Sequence, residues 1–181
     1  MKHIKRKIAL LAVIAIVLTL LAQATVAYVS HVGKATNVVT SGNITMNVIE
    51  TFPIGGVVVL PGDVVDKKVF VENTCEHPFY VRAKLEYAVD DTTLTAAGCF
   101  EPNINTGAWE YYDGWYYYKG IVTPNETTPL LMDKVEIVGS EVDNDYIGKK
   151  LTLTVKVQAV QSEYNPLTDG HTYTAHGWPA P

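Results

Sequence analysis

The sequence predicts an all-β protein, an antiparallel jelly-roll-like β-sandwich that follows an N-terminal signal peptide. Three observations predict this class. Three segments alternate strictly between apolar and polar residues, which is the pattern of half-buried strands. Turn signals rich in Gly, Pro, Asn and Asp separate further short apolar runs. No segment after the signal has sustained helical periodicity, which favours an all-β class over a mixed one.

The first 27 residues have the layout of a secretory signal peptide. A basic stretch over residues 2–7 precedes an apolar run over residues 8–22, and small residues follow. An uncleaved membrane anchor is the alternative, but the run is shorter than the roughly 20 residues that span a bilayer. We expect cleavage between Ala27 and Tyr28, with Ala24 as the other candidate position. The protein is therefore predicted to be secreted, with membrane contact only through the signal before cleavage.

The expected mature chain is strongly acidic. Residues 1–27 contain four of the 14 Lys and Arg residues and none of the 19 Asp and Glu residues, so removing them leaves a formal charge of −9. Such a chain repels phosphate backbones, which argues against nucleic acid as a partner.

Four parts are predicted: a signal peptide (1–27), an N-terminal donor or linker segment (28–43), a β-sandwich domain (44–164), and a C-terminal tail (165–181) that is either loose or wraps the domain.

The alternating segments define the central strands. Residues 79–89 and 151–160 each place one apolar face toward a core and one polar face outward, with Arg82 on the outward side. Residues 65–73 alternate as well, except that Lys67 shares the apolar face, and we expect it at the strand end. Shorter apolar runs predict further strands at residues 44–49, 57–60 and 135–138. Residues 92–107 are expected to hold one short helix or none.

The stretch "WEYYDGWYYYKG" predicts a tyrosine-rich hairpin. Asp113-Gly114 is a strong type I′ turn signal, and a turn there pairs Tyr112 with Trp115 and Tyr111 with Tyr116. Cross-strand aromatic pairs contribute roughly 0.2–1 kcal/mol each, so the hairpin needs no ligand to be stable. The alternative is an aromatic platform for sugars, choline or wall polymers, which would use three rings of the stretch: Trp109, Trp115 and Tyr117.

Two cysteines, Cys75 and Cys99, leave a disulfide and a pair of free thiols as alternatives. A bridge closing this loop of about 25 residues would stabilise the fold by roughly 3 kcal/mol in the chain-entropy model.

The sequence contains no motif for a catalytic centre. Neither a His-Glu-x-x-His motif nor a Gly-x-Ser-x-Gly elbow is present, and no cofactor is predicted. The acidic stretch "DNDYIG" fails the EF-hand pattern, because Ile147 and Thr154 stand where oxygen ligands are required. A looser calcium site at Asp143 and Asp145 is the alternative to an ordinary acidic loop.

Several ordered segments resemble a known family. "ATVAYVSHVGKATNVVTSGNITMNVIE" is similar to the start of proteins processed by a SipW-type signal peptidase, and "LPGDVVDKKVFVENTCEHPFYVRAKLEY" resembles the turn and paired strands that follow in them. "DGWYYYKGIVTPNETTPLLMDKVEI" and "YIGKKLTLTVKVQAVQSEYN" resemble later parts of the same group. The group is the TasA/camelysin family of secreted biofilm-matrix and cell-surface proteins.

The resemblance implies a jelly-roll domain that assembles into fibres. In such assembly the freed N-terminal segment of one subunit adds a strand to the sheet of the next. Here the implied donor segment is residues 28–39, with the candidate residues Tyr28, Val29, Val32, Val38 and Val39. The camelysin name also carries a peptidase label, but no metal-ligand set accompanies it here. We therefore expect a non-enzymatic, self-associating matrix or surface protein, with wall or glycan binding as the first alternative and metalloprotease activity as the second.

Overall fold

The computed structural model describes residues 27–29, 36–39, 44–52 and 57–179, with backbone only for the first two ranges. The described residues form an all-β sandwich of two packed sheets, which confirms the predicted class, while the jelly-roll strand order stays a prediction. The strands are β1 (Ala27–Val29), β2 (Thr36–Val39), β3 (Met46–Thr51), β4 (Val57–Val59), β5 (Val64–Asn73), β6 (Phe79–Val89), β7 (Phe100–Ile104), β8 (Trp109–Tyr112), β9 (Trp115–Tyr118), β10 (Met132–Ile137) and β11 (Leu151–Gln161).

One sheet has the order β3-β5-β10-β7 and the other has the order β2-β11-β6-β9-β8. Strands β1 and β4 form a separate antiparallel pair. Pairing within the four-stranded sheet is antiparallel, and in the five-stranded sheet β2 alone runs parallel to its neighbour, β11. Turns of 3-10 helix lie at Asn144–Tyr146 and Thr172–Thr174.

The longest pairing joins β6 to β11 over their full lengths, from Leu151 opposite Val89 to Gln161 opposite Phe79. These are the two segments whose alternation is clearest in the sequence. Several of their inward side chains, including Val81 and Val157, are fully buried between the sheets. Burying such a side chain contributes about 1.5–3 kcal/mol, so this ladder and the core beneath it stabilise each other.

The structure corrects two local expectations. Residues 100–104 form an edge strand on β10, whereas the sequence predicted at most a short helix in that region. Pro102 interrupts the apolar alternation there, and an edge strand tolerates proline because one side of its backbone needs no partner. Lys67 lies inside β5 rather than at its end, and only 2% of its surface is exposed.

Cys75 and Cys99 are free thiols rather than a disulfide. Cys99 precedes Phe100, which lies opposite Ile137 near the Val64 end of β5, whereas Cys75 follows Asn73 at the other end. A ten-residue strand separates the two positions by roughly 30 Å, far more than the approximately 7 Å limit between bridged Cα atoms. Burial raises the pKa of the Cys99 thiol, which keeps it protonated.

The hairpin prediction is confirmed in register and turn type. Tyr112 lies opposite Trp115 and Tyr111 opposite Tyr116. Asp113 and Gly114 have φ values of 45° and 82°, as the two central positions of a type I′ turn require.

We predict that Gly114→Val destabilises the protein by about 1–2 kcal/mol, because a β-branched residue in the left-handed region is strained. Urea unfolding followed by circular dichroism measures the change. Gly114→Asn is the matched control, since asparagine adopts this conformation readily. This variant should lose much less stability than Gly114→Val. Equal losses in the two variants would show that backbone conformation does not explain the role of Gly114.

Candidate interaction surfaces

The residues after the expected cleavage position take part in β-pairing within the chain. Ala27–Val29 pairs with β4, so that Tyr28 lies opposite Val58. Thr36–Val39 pairs with β11 from Thr36 opposite Lys156 to Val39 opposite Ala159. Of the predicted assembly residues, Tyr28, Val29, Val38 and Val39 therefore belong to strands. The signal peptide up to Val26, and Val32, lie outside the described residues.

The three rings of the predicted ligand platform do not lie together. Trp109 pairs with Tyr118 on the inner face of the sheet, where it is 1% exposed. Trp115 and Tyr117 lie on the opposite face of the hairpin, because alternate residues of β9 point to opposite sides. Both are also buried, at 4% and 3% exposed. None of the three presents an open stacking face in this structure.

The C-terminal tail covers the outer face of the hairpin sheet. Tyr80 and Val160 of that face form a second apolar cluster with Ala175, and Trp178 packs against it. Thr172, which is 1% exposed, donates its hydroxyl to the carbonyl of Tyr118 at 2.8 Å. Of the two predicted alternatives for the tail, the described part of it therefore has the wrapping arrangement.

Arg82 is the centre of this contact. Its Nε and Nη2 donate to Gln158 Oε1 at 2.8 and 2.6 Å, and Nη2 also donates to the carbonyl of Pro179 at 2.6 Å. Nη1 donates to the hydroxyl of Tyr117 at 3.0 Å. The sequence placed Arg82 on an outward face, and the structure keeps it there but leaves it only 4% exposed.

The guanidinium of Arg82 lies between two indole rings. Its carbon is 4.2 Å from the ring centre of Trp115 and 4.9 Å from that of Trp178. Such cation–π contacts contribute more when the cation is shielded from water, up to about 2 kcal/mol. Aromatic faces and neutral oxygens thus replace the hydration of this buried cation. The tail supplies two of these groups, the ring of Trp178 and the carbonyl of Pro179.

A second row of contacts fixes the tail at the hairpin turn. Tyr173 stacks on Tyr112 with ring centres 4.2 Å apart, and His171 stacks on the other side of Tyr173 at 4.9 Å. His171 Nδ1 lies 2.9 Å from Glu110 Oε2. The exposed tyrosines of the hairpin are Tyr111 and Tyr112, which point to opposite faces of β8.

The acidic residues considered for calcium have local structural roles. Asp143 caps the 3-10 turn at Asn144–Tyr146, and its Oδ1 accepts from the backbone nitrogen of Asp145 at 3.0 Å. Within the described ranges no three His, Cys, Asp or Glu side chains converge as metal ligands.

Asp91 accepts from Lys149 Nζ at 2.6 Å, and this hydrogen bond holds the pKa of the Asp91 carboxyl well below its usual range.

No protein-family model, curated protein or solved structure matches the chain. Among the described residues, no helix has the length and apolar character needed to cross a membrane.

We predict that Trp178→Ala releases the tail and lowers the free energy of unfolding by about 1–3 kcal/mol, because it removes a partly buried ring from Arg82 and from the second apolar cluster. Urea unfolding gives the energy, and limited proteolysis should show new cleavage within residues 165–179. His176→Ala is the matched control, since His176 is exposed two residues away. Its free energy of unfolding should stay within about 0.5 kcal/mol of that of the natural protein. Unchanged proteolysis of Trp178→Ala would contradict the assigned role of the ring.

Proposed function

We propose that this is a secreted structural protein of the extracellular matrix or cell surface, which assembles by strand addition. The observation that carries the proposal is the pairing of residues 36–39 with β11, the edge of the sheet they complete. The segment resembling a donor strand thus has the hydrogen-bonding partner that strand addition requires. The TasA/camelysin resemblance and the signal-like N-terminus favour the same function.

The proposed assembly is an exchange of this pairing between copies. In one molecule, residues 36–39 lie on their own β11 and satisfy its edge. In an assembly, the same residues would lie on the β11 of the next copy, with the same backbone hydrogen bonds. Because donor and acceptor are on one chain, each copy can give one strand and receive one, which propagates head to tail.

The hydrogen bonds gained and lost in such an exchange nearly cancel. The equilibrium then depends on protein concentration and on the strain of the connecting residues. An acidic mature chain opposes close approach of its copies through charge repulsion, and salt screens that repulsion over about 8–10 Å. Assembly should therefore become more favourable as the ionic strength rises.

Wall or glycan binding at the hairpin has less support. The rings considered for it, Trp109, Trp115 and Tyr117, are all buried. Tyr117 packs against Trp178 of the tail, and Trp115 packs against Arg82, which the tail contacts. A ligand would first have to displace the tail from Arg82.

We predict that the mature protein, purified from residue 28 onward, forms fibres visible by negative-stain microscopy at high concentration. Removal of residues 28–39 should abolish them while leaving the sandwich folded, as circular dichroism would show. Val38→Pro is a more local variant, because proline removes a backbone donor from the strand that would be added. Fibres from the deleted protein, or a mature protein that stays monomeric at all salt concentrations, would overturn the proposal.

The matched control for the Val38→Pro variant is Val38→Thr, which retains β-branching and the backbone donor. Fibres should persist in the threonine variant and be lost in the proline variant. This contrast separates a requirement for strand pairing from a requirement for an apolar side chain.

A further inference from the structure

A buried lysine and a buried glutamate meet across two neighbouring strands. Glu50 lies on edge strand β3 and Lys67 on β5, which pair with Glu50 opposite Val69. Lys67 Nζ is 2.5 Å from Glu50 Oε1. Their side chains are 3% and 14% exposed. Neither the secretory pattern nor the proposed assembly explains an ion pair in this position.

The surroundings of the Lys67 ammonium group are mostly apolar. Lys67 Nζ lies 5.0 Å from the ring centre of Phe52, and a cavity of about 20 Å³ adjoins Lys67. The cavity is lined by Phe52, Val65, Lys67, Phe100, Val135, Ile137 and Leu153. Because burial removes water from the ammonium group, the pKa of Lys67 is lowered from its ordinary value. The site therefore favours the neutral amine of Lys67 more than water does.

We propose that Lys67 and Glu50 condense into an intramolecular amide that cross-links β5 to β3. A proton first moves from the Lys67 ammonium to the Glu50 carboxylate, which gives an amine and a carboxylic acid. The Nζ lone pair then attacks Cδ of Glu50, the N–C bond forms, and the C–OH bond breaks. The leaving hydroxyl takes a proton from the nitrogen and departs as water, so the step needs no oxidant, reductant or further reactant.

The geometry suits this reaction. With Nζ at 2.5 Å from Oε1, the nitrogen lies about 3–3.5 Å from the adjacent carbon, which meets the distance requirement for attack. The cavity beside the pair has room for one water molecule, the product that must leave. Exclusion of bulk water also removes the solvent that would hydrate the two charges and hold them as a simple ion pair.

The chain contains a matched pair for comparison. Lys156 Nζ and Glu86 Oε1 are 2.7 Å apart on paired strands, but their side chains are 42% and 39% exposed. Water reaches both side chains there, so no amide is expected. Distance is almost the same in the two pairs, and burial is what differs.

The test is the intact mass of the folded mature protein, followed by a peptide map. We expect a species lighter than the sequence mass by one water, about 18 Da, and a linked peptide that contains Lys67 and Glu50. Lys67→Arg, which preserves the charge but has no reactive amine at neutral pH, should have its full mass. The peptides containing Lys156 and Glu86 should be unlinked.

Three outcomes would overturn the proposal. The first is the full sequence mass for all molecules after prolonged incubation in the folded state. The second is a mass loss that persists in Lys67→Arg. The third is a loss that the peptide map places elsewhere, for example at Asp113-Gly114, where dehydration to a cyclic imide gives the same mass change. If Lys67→Arg fails to fold, the peptide map of the natural protein still decides between these outcomes.

Discussion

The pairing of β6 with β11 is the interaction on which the rest of the structure depends. It forms the middle of the five-stranded sheet, and every other layer of the molecule lies against one of its faces or edges. Its inner face packs on the four-stranded sheet through residues such as Val81 and Val157. Its outer face contributes Tyr80 and Val160 to the tail cluster. Strand β2 lies on its β11 side, and the aromatic hairpin on its β6 side.

Covering both faces of this ladder has an electrostatic consequence. The outward face of a sandwich strand normally meets water, which is why Arg82 and Gln158 fit its sequence pattern. Once the tail lies on that face, Arg82 loses its hydration and needs other partners. Among the described residues, Gln158, Tyr117, Trp115 and Trp178 supply them. The tail and the arginine are thus mutually dependent, since each is poorly satisfied without the other.

Lys67, in the four-stranded sheet, is also a buried cation, but its main partner is the carboxylate of Glu50. There an opposite charge, together with the ring of Phe52, replaces the water that burial removes. Removing either partner of such a pair is costly, because the remaining charge is buried alone. Among the described residues, two cationic side chains are buried in different surroundings. Arg82 lies against π faces and neutral oxygens, and Lys67 lies 2.5 Å from the Glu50 carboxylate. The first joins the tail to the sheet, and the second joins β3 to β5.

The main strands and the hairpin can be predicted from local sequence pattern. Period-two alternation and the Asp113-Gly114 turn act through neighbouring residues, so the bounds of β6 and the pairing of Tyr112 with Trp115 follow from local pattern. Local pattern does not predict which outward face is covered, how far apart the cysteines lie, or that Lys67 is buried. These outcomes depend on contacts between distant parts of the chain, such as Arg82 with Pro179, 97 residues apart. Periodicity assigns a side chain to a face, but it contains no information about what will later pack on that face.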